Sequence, residues 1–135
     1  MELLTIATSP SLETDGVWHP VQDGFEIKIA RIGNPNYNLA MQALSLTSSG
    51  SSFGKDKTTI SDDELVSILA STVVVDWKGL TEQGKEVKYS VKKAKEILLD
   101  PRYQDLRRWV IRMASDATNY REEAINEAMG KSQDT

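Results

Sequence analysis

Ser61-Asp62-Asp63-Glu64-Leu65-Val66-Ser67-Ile68-Leu69-Ala70-Ser71-Thr72 is the stretch on which the reading of this chain turns. Serine followed three residues later by glutamate is a capping box, in which each side chain satisfies a backbone N–H that the first helical turn leaves without a partner. Asp62, Asp63 and Glu64 also set negative charge at the positive end of the helix dipole. Leu65, Ile68, Leu69, Thr72 and Val75 then fall on one face at helical spacing, which predicts an amphipathic helix packed on a core.

Working outward towards the N-terminus, residues 47–59 are rich in Ser and Gly around Lys55, Asp56 and Lys57, and read as a mobile loop with too little apolar surface to order itself. Before it, Asn34-Pro35 is a capping residue followed by proline at the first helical position, and Tyr37, Met41 and Leu44 carry a short helix that should end near Leu46. Phe25, Ile27 and Ile29 alternate with Glu26, Lys28 and Ala30, the period-two pattern of a half-buried strand ending by Gly33. Residues 1–23 hold Pro10, Gly16 and Pro20 with no sustained period, and read as a flexible arm anchored by Trp18.

Towards the C-terminus, Gly79 and Gly84 interrupt helical periodicity, and Gln83-Gly84 suits the turn of a small hairpin. Ser90 caps a helix carrying Ala94, Ile97 and Leu98. Asp100-Pro101 opens a last helix to about Met129, striped by Leu106, Val110, Met113, Ala117, Tyr120 and Ala124 and widened by Trp109. Residues 130–135 read as a frayed tail. The expected fold is therefore mainly α, or small α+β: four helices, a short N-terminal strand element and one small hairpin, in a single domain over residues 24–129.

With 135 residues the chain has length for one core, and its 39% hydrophobic content leaves part of it outside that core. The absence of cysteine removes disulfides, thiolate metal sites and cysteine nucleophiles together. No stretch approaches a membrane span, so the expected place is the cytosol. The net charge of −4 is uneven: Lys85 to Arg112 holds nine Lys or Arg against four Asp or Glu, leaving +5 there, −6 before it and −3 after it. These lysines alternate with apolar positions at helical spacing, and an acidic protein is repelled at long range by phosphate backbones, so a protein partner or a second copy suits this block better than a nucleic acid.

Several motifs match in letters and fail in chemistry. Gly50-Ser51-Ser52-Phe53-Gly54 has the pattern of a nucleophile elbow, but the one histidine, His19, lies upstream of it and beside proline. Gly79 to Lys85 approaches a phosphate-binding loop, yet Glu86 stands where Ser or Thr must hold magnesium and Glu82 would repel phosphate. Asp62, Asp63 and Glu64 are successive and cannot converge on a metal. The residues thus predict no enzyme, no cofactor and no metal; His19 reads as a surface or packing histidine.

The ordered set Phe25-Glu26-Ile27-Lys28-Ile29-Ala30-Arg31 with Gly33-Asn34, Asp76-Trp77, Tyr89-Ser90, Asp100-Pro101-Arg102-Tyr103, Asp116, Tyr120 and Arg121-Glu122-Glu123 resembles the tail assembly chaperones of long-tailed bacteriophages. The resemblance spans roughly residues 21–123. It implies a mostly helical, non-enzymatic protein of the infected host's cytoplasm that self-associates, coats the tape measure protein, and is absent from the finished virion. It also implies a longer form made by ribosomal slippage, for which Gly130-Lys131 is a candidate place. The surface expected to meet the partner or another copy is Trp77, Leu106, Trp109, Val110, Met113 and Tyr120, with Trp77 leaning to the core. The rival expectations are a tail component retained in the virion and a small DNA-binding regulator using the basic block.

Overall fold

The alternation Phe25-Glu26-Ile27-Lys28-Ile29 does form a strand, but it is the middle one of three. In the computed structural model, which describes residues 1–49 and 60–122, the chain forms β1 (Val17–Gln22), β2 (Phe25–Ile29) and β3 (Val74–Lys78) as an antiparallel sheet in the order β1-β2-β3. A two-stranded ribbon, β4 (Thr81–Glu82) and β5 (Lys85–Glu86), follows. Five α-helices lie among the described residues: α1 (Pro10–Asp15), α2 (Pro35–Ser49), α3 (Asp62–Thr72), α4 (Val91–Leu99) and α5 (Gln104–Ser115). Short 3-10 turns occupy Leu3–Ile6, Pro101–Tyr103 and Ala117–Tyr120.

This is an α+β fold, and it corrects the expectation of a mainly α protein with four helices and one short strand element. The two outer strands were hidden for different reasons. In β1 the apolar alternation is scrambled, because the polar His19 faces the core, 9% exposed, while the large Trp18 lies on the opposite, half-buried face. Its Pro20 suits only an edge strand, where the missing N–H deprives no neighbour. In β3 the run Val73-Val74-Val75 continues the apolar face of α3 and so read as more helix. Instead α3 stops at Thr72, Val73 caps it with helical backbone, and the β-branched Val74 and Val75 turn into extended backbone.

Sheet register sorts the side chains. His19, Ile27 and Trp77 form one row across the three strands, all buried, and Trp18, Lys28 and Asp76 form the next row on the outer face. On that outer face the ammonium of Lys78 stands 4.5 Å from the Trp18 ring and pairs with Glu26 at 3.4 Å. The inner row belongs to a core shared with Val66, Leu69 and Val73 at α3, Ala94 and Leu98 of α4, and Val110 and Ala114 of α5.

The capping box forms as read: Ser61 Oγ accepts from the Glu64 N–H at 3.2 Å, and Glu64 accepts from the Ser61 N–H at 3.0 Å. Asn34 caps α2, and that helix runs on to Ser49, past its expected end at Leu46; the rest of the expected loop, 50–59, lies outside the described residues. The last helix is shorter than expected. It opens with the 3-10 turn Pro101–Tyr103 and ends at Ser115, because the Asp116 carboxylate turns back to accept from the Thr118 N–H at 3.0 Å and starts another 3-10 turn. That turn buries Tyr120 fully, with its hydroxyl donating to the Ile29 carbonyl at 3.1 Å. Residues 123–135, including Ala124, Met129 and the Gly130-Lys131 pair, lie outside the described residues.

Residues 1–23, expected as a flexible arm, contribute α1 and β1 and are tied to the far end of the chain. The Ser9 N–H donates to the Tyr120 carbonyl at 2.8 Å, and the Glu122 N–H to the Ala7 carbonyl at 3.2 Å. Arg31 and Glu13, both partly buried, add an ion pair of 2.6 Å.

Candidate functional site

Glycine-bearing turns shape the strands around the site. Asp23 and Gly24 turn β1 into β2, Gln83 and Gly84 turn β4 into β5, and all four residues adopt positive φ, the backbone that a two-residue hairpin turn needs. Gly79, at φ 78°, packs against the Gly24 carbonyl so closely that a Cβ would collide with it. The β1–β2 turn therefore meets the β3–β4 connection backbone to backbone, and the start of the ribbon is held beside the sheet.

Between the ribbon, β2 and the helical corner of α4 and α5 lies a groove of about 750 Å³. Its floor is core: Ile27, Val74, Trp77, Ala94, Leu98 and Val110. Its walls are partly exposed apolar side chains, Val21, Phe25, Leu80, Val87, Ile97 and Leu106. The floor's one polar group is already satisfied, since Trp77 Nε1 donates to the Val87 carbonyl at 2.8 Å. Tyr89 braces the same place, edge-on to the Trp77 ring at 5.1 Å and donating its hydroxyl to the Val74 carbonyl at 2.7 Å. Burial raises the Tyr89 pKa, and the charge of Asp76 adds to that, so the phenol stays a donor.

The rim is charged. Asp100 accepts from the Arg102 backbone N–H at 2.9 Å and from its guanidinium at 2.8 Å, and the guanidinium stands 5.3 Å from the Tyr103 ring. The side-chain hydrogen bond from Arg102 is the main cause of the lowered Asp100 pKa. Asp100-Pro101-Arg102-Tyr103 thus forms a braced corner at the groove's helical end, with Arg102 and Tyr103 exposed.

Of the six residues expected at the partner surface, the structure brings three to this groove. Trp77 and Val110 are in its floor, 7% and 0% exposed, and Leu106 is in its wall. Trp109 instead stacks edge-on to His19 at 6.4 Å, Met113 is half-buried against the core, and Tyr120 is wholly internal. A helical stripe cannot by itself tell core from contact surface, and here most of it became core. The walls that sequence reasoning missed are Val21, Phe25, Leu80, Val87 and Ile97; lone Leu80, between Gly79 and Thr81, was the available signal.

Gly79 to Lys85 folds as the ribbon, and the next helix begins only at Val91, so the lysine does not precede a helix N-terminus as a phosphate loop requires. Gly50 to Gly54 lies outside the described residues. Among the described residues no three His, Asp or Glu gather as a metal site, and no helix is long and apolar enough to cross a membrane. Five of the nine cations of the basic block are in ion pairs: Lys93 with Glu96, Lys95 with Asp63, Arg102 with Asp100, Arg107 with Asp62 and Arg108 with Asp105.

A family model described as YdaY prophage protein matches residues 32–131, most of the chain. The chain belongs to the YdaY prophage protein family. It is thus phage-derived, as the resemblance implied at its coarser level. No curated protein and no solved structure matches it. The YdaY match begins just after β2, so the groove combines Trp77, Leu80, Ile97 and Leu106 from inside the matched span with Val21 and Phe25 from outside it.

Proposed function

We propose that this YdaY family member is a non-enzymatic tail assembly chaperone, which binds the tape measure protein in the host cytoplasm, keeps it soluble during tail morphogenesis, and is left out of the mature virion. The observation that carries the reading is the groove beside Trp77, whose apolar walls and satisfied floor suit the apolar face of a helix better than a polar small molecule. Helix-in-groove recognition places anchors at i, i+3 or i+4, and i+7 into such a trough. A polar ligand would need converging donors and acceptors, which this floor does not offer. The non-enzymatic part is supported by the lack of cysteine and by the position of the single histidine, which is buried beside Trp109.

Homo-oligomerisation belongs to the same proposal, supported by apolar side chains left on the surface at Leu3, Leu4, Ile6 and Leu39. The same proposal includes pairing with a longer form of the chain, whose extension by ribosomal slippage would start near Gly130-Lys131. The test is co-expression with the adjacent long, helix-rich open reading frame. A soluble complex, together with absence of the chain from purified particles by mass spectrometry, is the expected result. An insoluble partner despite abundant soluble chain overturns the proposal, and recovery in particles replaces it with a retained tail component. Retardation of DNA at moderate salt would indicate a regulator instead.

A further inference from the structure

Thr8 and Arg121 form an antiparallel bridge, the Glu122 N–H donates to the Ala7 carbonyl at 3.2 Å, and the Ser9 N–H donates to the Tyr120 carbonyl at 2.8 Å. Just before Ala7, the 3-10 turn Leu3–Ile6 buries none of its residues and leaves Leu3, Leu4 and Ile6 74%, 66% and 47% exposed. At three residues per turn Leu3 and Ile6 share one face with Leu4 beside it, so the three make a contiguous apolar patch rather than scattered surface residues. The same place is short of an acceptor, since Arg121 Nε is buried with no hydrogen-bond partner among the described residues.

The bridge sets a direction. In antiparallel pairing a forward step on one side is a backward step on the other, so the backbone leaving Glu122 is headed along Ile6, Thr5, Leu4 and Leu3. The sequence that follows is Glu123-Ala124-Ile125-Asn126-Glu127-Ala128-Met129, in which four of seven residues are apolar. We infer that residues 123–129 of the same chain cover the Leu3–Ile6 turn, with Ile125 and Met129 set against Leu3, Leu4 and Ile6. Length is not limiting, since seven extended residues span up to about 23–25 Å, against about 8 Å for a four-residue 3-10 turn. A large contact is not needed either, because the segment is tethered beside its target. A second copy reaching the same turn would have to overcome the association cost that the tether removes. The inference goes beyond the proposed function: it makes self-association through Leu3, Leu4 and Ile6 conditional on release of the chain's own following segment, and it leaves the groove beside Trp77 untouched.

The test uses the full chain, with hydrogen exchange read at the Thr5 and Ala7 amides, which donate to the Glu2 and Leu4 carbonyls within the turn. Ile125→Ser together with Met129→Ser should quicken exchange at both amides by about tenfold and leave the core amides of Ile27 and Leu69 as they were. By sedimentation the same variant should self-associate at about tenfold lower concentration than the parent chain, because its turn is released. The reciprocal pair, Leu3→Ser with Leu4→Ser, should move the amide chemical shifts of Ile125 and Met129. Protection of Thr5 and Ala7 in the parent chain should not depend on protein concentration. Unchanged exchange or self-association in the first variant, unmoved shifts in the second, or protection that grows with concentration, the mark of a second copy on the turn, each overturn the inference. Solubilisation of a partner on co-expression is read at the groove, so its failure removes the chaperone reading and leaves this one standing.

Discussion

Asn34 carries more than the cap its sequence position advertises. Its side-chain carbonyl accepts from the Tyr37 N–H at 3.0 Å, capping α2, while its amide donates to the Arg31 carbonyl at 2.7 Å and, across the fold, to the Thr72 carbonyl at 3.0 Å. It is 3% exposed, so water cannot replace these bonds. The Arg31 carbonyl keeps the Asn34 backbone N–H at 3.1 Å, so Asn34→Ala should cost about 2 kcal/mol, roughly 1 kcal/mol for the cap and about 1 kcal/mol for the orphaned Thr72 carbonyl. At this chain length that lowers the thermal midpoint by about 6–8 °C. The discriminating variant is Asn34→Asp. Aspartate is as good a cap as asparagine and favours the helix dipole, so a residue that only capped would accept the change. Here the carboxylate would face two backbone carbonyls in a buried place, and the loss should match or exceed that of Asn34→Ala. Urea unfolding followed by circular dichroism and by tryptophan fluorescence gives both numbers. An Asn34→Asp protein as stable as the wild type would show that the tie to Thr72 carries no weight, and would refute the argument.

Three further expectations use the same assay. Trp77→Phe keeps an aromatic ring but removes buried volume and orphans the Val87 carbonyl, and should cost about 1–3 kcal/mol, whereas an unchanged midpoint would mean that the indole N–H is not what holds the ribbon. Gly79→Ala drives a methyl into the Gly24 carbonyl at a positive φ and should cost at least about 1–3 kcal/mol and loosen the groove, with amide exchange in the ribbon as the second readout. Burial lowers the pKa of His19 from its ordinary 6.5, so the folded protein holds fewer protons there than the unfolded chain. Stability should be flat above that value, fall as pH drops below it, and level off past the lowered folded pKa. Asp100 and Asp116, both lowered from 3.8, add their own losses only below that value. A His19→Gln protein should lose the upper slope, and a slope that persists assigns it to another group.

What the amino-acid sequence determined by itself is local. Ser61 with Glu64, Asn34 with Pro35, Ser90, Asp100 with Pro101 and the Gln83-Gly84 turn each act within a few residues, through a side chain reaching the next turn's backbone or through a glycine's freedom to take positive φ. Such signals survive in any context, so they mark where elements begin. The tertiary structure decided what those elements became. Whether Val74-Val75 extends a helix or turns into β3 depends on Ile27 and Ile29 of β2 lying where a third strand can pair. Whether Val17–Gln22 is an arm or an edge strand depends on the partner β2 and on Trp109 beneath His19. The groove is the same kind of fact. Phe25, Leu80, Ile97 and Leu106 lie far apart in the chain, and no period relates them. They share one trough because Gly79 packs on Gly24 and the corner at Asp100 folds α5 back beside α4, a contact energy that arises only once distant segments are packed together.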